Sequence, residues 1–150
     1  MTAAASLAAA APANGTISLT ATSSTLSNLA TGQRATGSAT ILATDTSGLW
    51  TLQAEDTGSG AGKMVASSTG CTGSASPLAN PLRISVSTSL SGVTTNTIDL
   101  SSSNQPLASA SNVAMLTPAT FNANYTQVVP STQALLNGCI YTITVTYTLQ

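Results

Sequence analysis

The sequence predicts an all-β fold, an antiparallel sandwich with long loops, and three observations carry that expectation. From Cys139 to Leu149 apolar residues occupy every odd position, and threonine fills the even positions from Thr142 to Thr148. Ser and Thr together make up 48 of the 150 residues, while only 5% are charged. Helix surfaces usually carry Glu, Lys and Arg, whereas threonine is β-branched and suits a strand. Short apolar runs recur along the chain, split by Gly, Pro, Ser and Asn.

In chain order, residues 16–22 alternate Ile17, Leu19 and Ala21 against threonine and serine. Residues 38–44 place Ala39, Ile41 and Ala43 on one face, and residues 49–55 place Trp50, Leu52 and Ala54 together. Residues 82–87 give Leu82, Ile84 and Val86, and a shorter run surrounds Ile98 and Leu100. The stretch Leu107-Ala108-Ser109-Ala110 is apolar without alternating, and Phe121 to Val129 is a further candidate containing Tyr125. The last run is the clearest, since period two puts Tyr141, Ile143, Val145, Tyr147 and Leu149 on one face. Seven to nine strands follow from these runs, with Thr57 to Gly62 read as a flexible linker or hairpin tip. One tryptophan, one phenylalanine and three tyrosines imply a thin core.

Residues 1–13 are almost all alanine and other small residues, and they end in Ala11-Pro12-Ala13, a pattern signal peptidases favour. They read as a signal-peptide remnant or a disordered or helical leader outside the fold, which then spans residues 14–150. No run is long and apolar enough to predict a membrane span.

Charge narrows function. Arg34, Lys63 and Arg83 are the only basic residues. Three scattered cations do not make the phosphate-binding footprint of a nucleic-acid protein, nor a patch for an anionic membrane. Histidine is absent, so the commonest general base is missing. Cys71 and Cys139, in a charge-poor, hydroxyl-rich chain, read as a disulfide made in an oxidising compartment, with two separate buried thiols as the alternative.

Glu55 and Asp56 are adjacent and would point to opposite faces of a strand, unlike the opposed pair a glycosidase needs. Asp45, Glu55, Asp56 and Asp99 lack calcium-loop spacing and read as surface carboxylates. The run Gly58 to Lys63 departs from a phosphate-binding loop at Thr57 and Met64. A single threonine ladder falls short of the flat array that ice binding needs. No enzyme activity, metal or cofactor is therefore expected.

Trp50 reads first as a plug between two sheets, with a stacking platform for a sugar ring as the alternative. Trp50-Thr51-Leu52 resembles the first signature of the WxL domain family. The segment Tyr141 to Leu149 is similar to the family's second signature, with Tyr147 where the family usually has Trp. The cysteine pair points to a divergent branch of the family, and the alanine and threonine bias to a high-GC Gram-positive source.

The resemblance implies an immunoglobulin-like sandwich, secreted and held non-covalently on the Gram-positive cell wall, on peptidoglycan. It also implies binding-motif roles for Trp50, Leu52, Tyr141, Tyr147 and Leu149, chiefly as the core that shapes the site. The expected partners are wall glycan or other surface proteins. The competing expectation is a pilin-like fibre subunit that self-associates through edge strands.

Overall fold

A computed structural model describes residues 1–11, 13–67, 71 and 76–150. Its strands are β1 (Thr2–Ala10), β2 (Gly15–Leu19), β3 (Ser23–Leu26), β4 (Arg34–Asp45), β5 (Leu49–Asp56) and β6 (Val65–Ala66). They continue as β7 (Arg83–Thr88), β8 (Thr94–Thr95), β9 (Thr97–Asp99), β10 (Gln105–Ser111), β11 (Met115–Val128) and β12 (Ile140–Leu149).

Two sheets form a sandwich. The first runs β3-β1-β12-β5-β10-β8, with β6 paired to the start of β12, and the second runs β2-β4-β11-β7-β9. Every pairing is antiparallel except β1 with β12, so the first sheet is mixed. Among the described residues no helix is long and apolar enough to cross a membrane.

Alternation places the core between the sheets. Tyr141, Ile143, Val145, Tyr147 and Leu149 of β12 are buried, as are Trp50, Leu52 and Ala54 of β5. In the second sheet Ile41 and Ala43 of β4, Phe121, Ala123 and Tyr125 of β11, and Ile84 and Val86 of β7 face them. Leu52 and Ala54 lie beside Leu149 and Tyr147 in the ladder, so the two motif strands are neighbours in one sheet.

The expectation that residues 1–13 lie outside the fold is corrected for most of that segment. β1 pairs in parallel with β12 over nine residues, from Thr2 beside Ile140 to Ala10 beside Thr148, and its Ser6–Ala3 stretch pairs with β3 on the other side. Ala3, Ala5 and Leu7 are buried, set beside Tyr141, Ile143 and Val145 respectively. The physical reason is volume complementarity: small alanines leave room for the bulky side chains of β12. Pro12, the centre of the Ala-Pro-Ala pattern, lies outside the described residues.

The stretch at Leu107 fails to alternate because the β10–β5 register shifts between Pro106 and Ala108. A bulge of this kind turns consecutive residues inward, and Leu107 and Ala108 are both buried. β11 begins at Met115, six residues before the expected Phe121, and a second register shift interrupts its pairing with β4 between Met115 and Ala119.

The disulfide expectation is met. Cys71 bonds Cys139 across 68 residues, with Cα atoms 4.5 Å apart. On the chain-entropy model a loop of that length contributes about 4 kcal/mol, an upper figure. The rest of the loop around Cys71, residues 68–70 and 72–75, lies outside the described residues.

Two carboxylates depart from the surface role expected of them. Asp45 and Asp56 are buried at the ends of β4 and β5. Asp45 accepts hydrogen bonds from the amides of Ser47 and Gly48 and from the Ser47 hydroxyl, at 2.6–3.1 Å. Asp56 accepts from the amides of Gly58 at 2.8 Å and Gly62 at 2.7 Å. Each carboxylate satisfies donors that a tight turn would otherwise leave unpaired.

Residues 57–62 are therefore a pinned loop rather than a flexible tip. Leu82 donates its amide to the Gly62 carbonyl at 2.8 Å. Gly62 has φ +92°, and a Cβ there would sit 1.8 Å from the Leu100 carbonyl oxygen, so only glycine fits.

Candidate functional site

The five motif residues are all core. Trp50 is 1% exposed; its indole N–H donates to the Val113 carbonyl at 2.8 Å. Its ring meets Phe121 of the opposite sheet edge-on, with centroids 5.6 Å apart. The sugar-platform alternative for Trp50 does not fit that burial. Tyr147 also bridges the sheets, its hydroxyl 2.6 Å from that of Tyr125. Burial pushes the Tyr125 phenol up to about 12 and the Tyr147 phenol well above its ordinary 10. The Tyr141 hydroxyl accepts from the Leu136 amide at 3.4 Å, and Leu52 and Leu149 complete the packing. Together these residues tie the sheets to each other, and none offers a face to solvent.

The outer threonine row of β12 meets Ala4, Ser6, Ala8 and Ala10 on one side and Gln53 and Glu55 on the other. The mixed neighbours break up the row into an ordinary wet strand face.

The outer face of the second sheet is different. There a cleft of about 340 Å³ is lined by Arg34, Asn80, Pro81, Arg83, Asp99, Thr126 and Val128. Register builds it: Arg34 of β4 sits beside Val128 of β11, Thr126 beside Arg83 of β7, and Arg83 beside Asp99 of β9. Four adjacent strands thus supply one row of outward side chains.

Arg83 grips Asp99 with two bonds, Nε to Oδ1 at 2.8 Å and a terminal guanidinium nitrogen to Oδ2 at 3.2 Å. The pairing holds the Asp99 carboxyl below its ordinary range and raises the Arg83 guanidinium. Both side chains are more than half exposed, so the pair adds little to stability.

The wall of the cleft is tied down from beneath. The Asn80 side-chain amide donates to the Val128 carbonyl at 3.1 Å. Buried Gln127 donates its Nε2 to the carbonyls of Asn80 and Val128 at 3.1 and 3.2 Å.

A smaller cleft of about 200 Å³ lies beside the pinned loop and holds Lys63 with Asp56, Thr142 and Thr144. A shallow third one runs along Leu49, Thr51, Thr94 and Ser109 at the Trp50 end of the first sheet.

The basic residues are therefore less scattered than the sequence suggests, since two of the three meet in one cleft. Nothing local signals this: Arg34 and Arg83 are far apart in the chain and meet only through the pairing of β4 and β7 with β11. Among the described residues no three of Cys, Asp and Glu converge to hold a metal ion.

No protein-family model, curated protein or solved structure matches the chain.

Proposed function

We propose that this chain is a non-catalytic, secreted domain that binds the cell wall of a Gram-positive bacterium, through peptidoglycan, in the manner its resemblance to WxL domains implies. The cleft on the outer face of the second sheet carries the reading. It concentrates two of the chain's three cations and one of its four acids on a surface otherwise wetted by hydroxyls. Such a surface suits a neutral or weakly charged glycan, whose own hydroxyls exchange hydrogen bonds with serine and threonine. The disulfide fits an oxidising, extracellular setting. The motif residues act by holding the two sheets in register beneath the binding face.

Chemistry has no obvious machinery. Asp45 Oδ1 and both oxygens of Asp56 accept from backbone amides, Asp99 is paired with Arg83, and Glu55 stands on the other face of β5 from Asp56. Both cysteines are bonded to each other. The test is co-sedimentation of the intact domain with purified Gram-positive walls, run beside peptidoglycan-hydrolysis assays. Retention on walls without release of fragments supports the reading; absence of retention rejects it.

One observation favours a second reading, a fibre subunit assembled by strand addition. β1 is held between β3 and β12 and runs parallel to β12, so its withdrawal would open a slot that the same strand of another copy fits. A ladder of oligomers in a mass measurement supports that reading, and a monomer opposes it.

A further inference from the structure

We infer that the outer cleft of the second sheet is a subsite for an acidic sugar, a pyranose bearing one carboxylate, with Arg34 as the carboxylate-binding group. The inference deepens the wall-binding reading and rests on it for the ligand's origin.

Two of the three charges in the cleft are already used. Arg83 and Asp99 neutralise each other through two hydrogen bonds. The Arg34 side chain has no hydrogen bond or ion pair among the described residues, though it lines the same cleft. The cleft therefore holds one unspent positive charge, on a side chain whose planar fork matches a carboxylate.

The other lining groups fit the rest of a sugar ring. Asp99 is ionised and half exposed, and its free lone pairs accept ring hydroxyls. Thr126 adds a hydroxyl that both donates and accepts. Val128, 40% exposed and directly beside Arg34, and Pro81 supply apolar surface for the C–H face of a pyranose. A volume of about 340 Å³ is at the small end for ligand sites, which suits a short saccharide.

The site is also preorganised. Sheet hydrogen bonds fix the backbones of Arg34, Thr126 and Arg83, and Gln127 and Asn80 brace the Pro81 wall. A doubly charged phosphate suits it less, because a single free guanidinium would face it with the Asp99 carboxylate alongside.

The test is an NMR titration of the intact, disulfide-bonded domain with three probes. Glucuronic acid carries a carboxylate that stays free within a polysaccharide, glucose lacks it, and glycerol phosphate offers a phosphate instead. Saturable shifts are expected at the amides of Arg83, Thr126 and Val128 with the glucuronic acid, and affinity at least about tenfold weaker for the uncharged sugar. Arg34→Gln should weaken the acid by about tenfold while leaving the melting temperature in place, and Arg34→Lys should lose less.

Equal affinity for the two sugars, no effect of Arg34→Gln, or tighter binding of glycerol phosphate would overturn the inference. Wall retention that survives Arg34→Gln overturns the subsite and leaves the wall reading standing. Selective binding of the acidic sugar by a domain that walls do not retain upholds the subsite and rejects the wall reading.

Discussion

Trp50, Tyr147 and Leu149 on the inner face of the first sheet are sealed from water, whereas Arg34, Arg83 and Asp99 on the outer face of the second are open to it. The inner set is aromatic and aliphatic, bridges the sheets, and spends its few polar atoms on Tyr125 or on backbone. The outer set is charged, sits on three strands grouped around β11, and keeps the Arg34 side chain uncommitted. The contrast separates two jobs that a signature motif tends to merge. Residues of the motif strands hold the scaffold here, and the surface proposed to meet a ligand is formed by residues that no motif marks.

The contrast is sharpest in stability. Trp50→Ala removes a fully buried side chain, its edge-on contact with Phe121 and its bond to the Val113 carbonyl. The expected loss is about 3–5 kcal/mol, read from denaturant or thermal unfolding. That is a large share of the roughly 5–15 kcal/mol typical of a domain. A variant that melts with the parent protein would break the assignment of Trp50 to the scaffold.

The Tyr125–Tyr147 bridge gives a pH-dependent form of the same contrast. Both phenols are held neutral by burial, with Tyr125 at about 12 and Tyr147 well above 10. Unfolded tyrosines ionise near about 10. The folded pKa is raised, so the stabilisation is intact below about pH 10 and is lost as pH climbs through the folded values. Tyrosinate absorbance from these two residues should therefore appear together with unfolding. Ionisation of both in a protein that keeps its fold would contradict their burial.

The smallest effect belongs on the outer face. Thr144 projects from the wet side of β12, and Thr144→Ala should cost under about 1 kcal/mol. A loss as large as that of Trp50→Ala would erase the distinction between the faces.

What the sequence made legible follows the same division. The final strand announces itself because every inward residue is bulky and every outward one from Thr142 to Thr148 is threonine. β1 is silent because its inward residues are mostly alanine, whose size matters only beside Tyr141 and Ile143, more than a hundred residues away in the chain. Leu107 and Ala108 hide β10 because a bulge breaks the period, and buried Asp45 and Asp56 look like surface charges until their turns are seen. The cleft was not legible at all, since it depends on the register of β4, β7 and β9 around β11. Inner faces are written in hydrophobic period, while outer sites are written in pairing.

The most direct test of the proposed account is hydrogen exchange with and without solubilised wall glycan. The account predicts added protection at residues 34–36, 80–84, 97–99 and 126–128, with β5 and the second half of β12 unchanged. Protection centred on Trp50, Leu52, Tyr147 and Leu149, with none around Arg34 and Arg83, would contradict it.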